Sequence, residues 1–206
     1  MDGMTQALVP AAKPDLCLEF VNTRYWRGSE PSTETLNAPS DLLGWCTANR
    51  VHLPETVARV AEHWRAHPQE AESALRRSVE IREAIHGAFA EVAAGRRPSA
   101  EALAPLNRAL AEAPGRTALQ PGDDGLVWSL PEMESSVPAL LASVLWSAGD
   151  LMMSGRLDRV RRCANDKCQW LFLDDSRGGT RRWCTMSSCG NRAKAHRHYA
   201  RKKKAG

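Results

Sequence analysis

The feature that most restricts this chain is where its cysteines fall. Four of the six lie near the C-terminus as two pairs, Cys163-x4-Cys168 and Cys184-x4-Cys189, with fifteen residues between the pairs. A tetrahedral zinc ion takes thiolates at about 2.3 Å, and a tight turn inside each pair aims two sulfurs at one point. The intervening chain must then fold back, so Gln169 to Asp174 and Arg181 to Trp183 are expected as strands joined by Ser176-Arg177-Gly178-Gly179-Thr180. Such a short segment buries little core, whereas a structural zinc supplies on the order of 10 to 16 kcal/mol, which couples metal binding to folding. Four thiolates leave no open position for water, so the expected ion, one Zn2+ per chain held by Cys163, Cys168, Cys184 and Cys189, is structural and not catalytic. Four unligated buried thiols are the competing reading, and the polar, cationic residues around them count against it. Replacing any ligand by Ser is expected to unfold this module and largely spare the rest.

Charge divides the chain at the same place. Residues 157–206 hold fourteen basic and four acidic side chains, a net +10, while the first 156 residues carry a net −6. A cationic end on an anionic body points to a nucleic acid or another acidic surface as partner of that end. No basic and apolar leader precedes Asp15, so the first residues are expected as a frayed start. The most apolar stretch, Pro138 to Met153, is broken by Ser143, Ser147, Gly149 and Asp150 and falls short of a membrane span of about 20 residues. The expectation is a cytoplasmic protein with no membrane partner, where clustered thiols bind metal and do not form disulfides.

The fold class expected is α+β: a mainly helical N-terminal domain, residues 1–155, with a few short strands, followed by a small zinc finger over residues 156–206. Asp15 to Thr23 alternates apolar side chains and suggests a strand. Ser40 is a candidate N-cap for a helix carrying Leu42 and Cys46, Pro54 opens a second, and Pro68 to Ala94 is a long helix that Gly95 ends. Ser99 caps a further helix. Arg116 to Gln120 and Leu126 to Leu130 flank a Pro-Gly-Asp-Asp-Gly turn, and Leu140 to Met152 reads as one amphipathic helix.

The run CANDKCQWLFLDDSRGGTRRWCTMSSCGNRAKAHRHYARKK resembles the CGNR zinc finger, named for Cys189-Gly190-Asn191-Arg192. The likeness takes in both cysteine pairs, Phe172, Asp174, Ser176, Arg177, Arg181, Arg182, Trp183, Ala193 and Lys194. LCLEFVNT, residues 16–23, similarly resembles the opening of the ABATE domain that precedes this finger. Glu19 stands where an aspartate is usual and Gly178 where an asparagine is expected. The resemblance implies a stress-induced transcription regulator with a treble-clef-like ββα finger that binds DNA, and a front domain that senses a ligand or partner.

Residues after Cys189 are expected as a helix. At about 100° per residue, Lys194, Arg197, His198, Arg201, Lys202 and Lys204 share one arc, and Ala193, Ala195, His196, Tyr199 and Ala200 the other. Arg181, Arg182, Arg192, Lys194, Arg197, Arg201 and Lys202 are therefore the candidate nucleic-acid contacts, by phosphate neutralisation and bidentate guanidinium bonds to phosphate or guanine. A solvated basic helix end is the plainer alternative. Three functions stay open: a regulator bound to double-stranded DNA with an unidentified small-molecule ligand of its front domain; an RNA-binding or ribosome-associated protein whose Trp170, Trp183 and Tyr199 stack on bases; and a zinc-thiolate redox or protein-interaction module. Oligomeric state is not legible. His63 and His67 lack further ligands, Cys17 and Cys46 suit a core, and Trp26, Trp45, Trp64, Trp128 and Trp146 are expected as core or interface residues, with the lining of a ligand pocket as the alternative. No phosphate loop, nucleophile elbow or paired-carboxylate motif is present, so no catalytic residue or further cofactor is expected.

Overall fold

The computed structural model describes residues 7–122, 125–130, 136–195 and 202. Its first element, β1 (Ala7–Pro10), is not a frayed start: it pairs antiparallel with a later strand. The expected strand at Asp15 to Thr23 is a helix, α1 (Leu16–Val21). Leu16, Cys17, Leu18, Phe20 and Val21 are all buried, with Glu19 alone half-exposed, and a short run so largely covered has no period that separates strand from helix. A two-residue ribbon follows, β2 (Arg24–Tyr25) against β3 (Thr33–Glu34).

Helices α2 (Pro39–Ala48), α3 (Pro54–Ala66) and α4 (Pro68–Ala93) each begin with proline, whose missing N–H costs nothing in the first turn. At α2 the capping side chain is Asp41, not Ser40, accepting from the Asn37 and Ala38 amides at 2.9 Å each. Gly95, at φ +75°, ends α4 in the left-handed conformation expected of it. Helix α4 is the spine, burying Leu75, Ser78, Ile81, Arg82, Ile85 and Phe89 at three- and four-residue spacing. Ser99 caps α5 (Ala100–Glu112) by accepting from the Ala102 amide. Strands β4 (Ala118–Gly122) and β5 (Gly125–Leu130) form the anticipated ribbon, and β1 adds to it to give the antiparallel order β1-β5-β4. The expected helix from Leu140 is two, α6 (Val137–Leu140) and α7 (Ala142–Met153), broken at Leu141. Among the described residues no helix is long and apolar enough to cross a membrane.

The C-terminal strands differ from the expected hairpin. After a 3-10 turn, β6 (Val160–Arg162) pairs antiparallel with β7 (Leu171–Leu173), while Arg181 to Trp183 is not a strand. The partner of β7 thus lies upstream of the first cysteine, and the turn between the strands is the Cys163–Cys168 segment itself. Alternation along β7 sends Leu171 and Leu173 into the core built by α1 and α4, and Phe172 toward the cysteines. Val160 joins that same core, so apolar packing runs on without a break across residue 155.

Candidate metal centre and nucleic-acid interface

Four sulfurs converge where the two cysteine turns meet. The Sγ atoms of Cys163, Cys168, Cys184 and Cys189 lie within 4.8 Å of one another, all four residues are buried, and none is in a disulfide. Cys168 Sγ and Cys184 Sγ are 3.7 Å apart. Thiolates at about 2.3 Å from a tetrahedral ion stand about 3.8 Å from each other, so the spacing fits zinc. The first turn is set by Asn165, whose Oδ1 accepts from the Lys167 amide at 3.1 Å and whose Nδ2 donates to Cys189 Sγ at 3.5 Å. Hydrogen bonds from Cys168 and Cys184 push the Cys163 thiol far down, while their own thiols are pushed up; the donation of backbone amides at Cys184 and Asn165 also favours a Cys163 thiolate. Four convergent sulfurs with N–H donors beside them suit a dication, which draws all four into the thiolate form.

Asp174 builds the second loop. Its buried carboxylate accepts from the Ser176 hydroxyl at 2.6 Å, the Ser176 amide at 3.0 Å and the Arg181 amide at 2.8 Å, and these bonds, the hydroxyl's first, hold its pKa below the usual range. The loop so closed carries Arg181 over the Phe172 ring, 4.5 Å from its centroid, where the guanidinium donates to the carbonyls of Trp183 and Cys184. Arg181 therefore works inside the finger. Arg182 lies over Trp183 and Arg192 over Trp26, at 5.4 and 4.5 Å, and both arginines are exposed along with Lys194 and Lys202. A π-helical turn (Met186–Gly190) leads into helical residues 191–195. Arg197 and Arg201 lie outside the described residues.

Asn22, Gly28 and Trp26 tie this centre to the helical body. Asn22 pairs with the β7 backbone, donating to the Leu171 carbonyl at 2.7 Å and accepting from the Leu171 amide at 3.1 Å. The Gly28 amide donates to the Lys167 carbonyl, and a Cβ at Gly28 would stand 1.8 Å from the Asp166 carbonyl oxygen. Trp26, expected among core tryptophans, packs on the cysteine cluster from the front of the chain. The only signal for Asn22 was its place in LCLEFVNT; Trp26 was legible only as one of five tryptophans expected in core or interface, and Gly28 had none.

Residues 14–155 match the model of the ABATE family, described as "Putative stress-induced transcription regulator", and residues 159–202 match the CGNR zinc finger. The chain belongs to the ABATE family. Its CGNR finger carries one structural zinc, held by the four cysteines. A search of curated proteins found no match. Within the ABATE domain, Cys17 and Cys46 are fully buried, and burial pushes both thiols up to about 12, which keeps them protonated near neutral pH. His63 and His67 stack at 4.4 Å on the surface, with His63 on Glu70.

Proposed function

We propose that this ABATE protein is a transcription regulator that binds double-stranded DNA through the cationic surface of its CGNR finger. One observation carries the reading. Among the described residues, Arg161, Arg162, Lys167, Arg177, Lys194 and Lys202 of the finger are exposed, and none forms an ion pair. Exposed, unpaired cations neutralise phosphates and release counterions, with affinity that falls steeply as salt rises. The anionic ABATE domain does not supply that surface; its role in this reading is to respond to a small molecule or partner and pass the change to the finger through their common core. The test uses the full chain and a duplex. Reversing Arg162, Lys194 and Lys202 to Glu should weaken binding on the order of a hundredfold while zinc content stays at one per chain. Affinity that neither responds to salt nor to the triple reversal would remove DNA from this surface.

A further inference from the structure

The finger and the ABATE domain together form a cleft of about 660 Å³ whose lining includes Trp26, Lys167, Arg182, Trp183 and Arg192. We infer that this cleft holds one unpaired nucleotide of the bound nucleic acid, its base stacked against the indoles and guanidiniums and its phosphate held by the cations. The inference rests on the finger binding nucleic acid and adds what it reads there. Phosphate neutralisation needs only surface charge, whereas a base taken out of its stack needs flat π faces inside a recess. This recess has both. Two indoles and two guanidinium planes supply faces, and three cations against the lone carboxylate of Asp166 leave the lining net positive.

Trp26 is held in place by its backbone. That backbone sits at φ 54°, a left-handed conformation that a bulky residue keeps where its surroundings impose it. Those surroundings are the Trp26–Ser29 turn, closed by the Ser29 amide on the Trp26 carbonyl at 2.8 Å, and the seating of Gly28 against Asp166 and Lys167. Trp170 is not part of the cleft, because Tyr25 packs edge-on against it at 4.8 Å and its indole nitrogen is buried.

The experiment compares the zinc-loaded full chain on two duplexes of one length, fully paired or carrying a single unpaired nucleotide at a central bulge. The bulged duplex should bind roughly five- to a hundredfold tighter, the range that stacking one base on an aromatic side chain supplies. Trp26→Leu keeps apolar bulk against the cysteine cluster and removes the π face; in protein that retains one zinc per chain, it should bring affinity for the bulged duplex down to that for the paired one. Trp26→Phe should retain part of the preference, which guards against a folding defect in the leucine variant. Equal affinity for the two duplexes, or a preference that survives Trp26→Leu, overturns the cleft's role and leaves DNA binding standing. Failure to bind either duplex overturns both.

Discussion

Arg82 has the largest side chain that is fully buried among the described residues, and its charge is met on every nitrogen. Nη1 and Nη2 donate to Glu34 at 2.7 and 2.6 Å, Nε to Glu83 at 2.9 Å, and Nη1 also to the Thr23 hydroxyl. Arg27 adds a second cation on Glu83 at 2.8 Å. Burial alone would raise the Glu83 carboxyl, but the Arg27 and Arg82 guanidiniums outweigh it and hold the pKa at about 2, against an ordinary 4.5. Glu34 is lowered in the same way, with Arg82 outweighing burial. Because both folded-state values are depressed, the network contributes fully above about pH 4.5 and its contribution drains away as pH falls toward about 2. Urea titrations of wild type should show that acid decline, and Glu83→Gln should flatten it while lowering stability at neutral pH. Arg82→Leu should cost about 3 kcal/mol at neutral pH, since it takes the guanidinium away from Glu34 and leaves Glu83 to Arg27. Arg82 lies at helical spacing from Ser78, Ile85 and Phe89, yet an arginine in a pattern reads as solvent-facing until the acids that pair with it, from distant segments, are seen.

At the scale of elements, the helices declared their ends through local chemistry: Pro54 and Pro68 in first turns, Ser99 as a cap, Gly95 as a stop. The finger's hairpin did not, because β7 chooses a partner twelve or so residues upstream over the segment just beyond the glycine turn, and nothing local separates the two. Likewise α1 is buried at every position but Glu19, which erased the period that would have marked it as a helix. The four ligands were legible because spacing alone dictates that chemistry, whereas Trp26, Gly28 and Asn22 act across long sequence separations. Asn22 serves β7 as a substitute strand edge. Asn22→Ala should strand the Leu171 amide and carbonyl, cost about 2 kcal/mol and abolish slow hydrogen exchange at the Leu171 amide. Gly28→Ala, forced against Asp166, should unseat the Trp26 turn and weaken zinc retention in a chelator competition.

For the whole molecule, the continuous core changes what metal loss should do. Cysteine spacing by itself suggests a finger that unfolds alone, but Val160, Leu171 and Leu173 lie among the side chains of α1 and α4. Removing zinc with a chelator, or making Cys163→Ser, should therefore lower the melting temperature of the helical body too, in a single transition read by far-UV circular dichroism, with a loss of several kcal/mol. Two separate transitions, the helical one unmoved, would show that the shared core is energetically idle. The same three side chains bear on how such a regulator can be rebuilt. A zinc finger that folds by itself can be cut out and grafted elsewhere like a cassette. This one would carry away a strand pair whose apolar face was made for one particular pair of helices, so a change in what the finger contacts has to arise by substitution on its outer surface, and exchange of the finger between proteins demands that its platform travel with it.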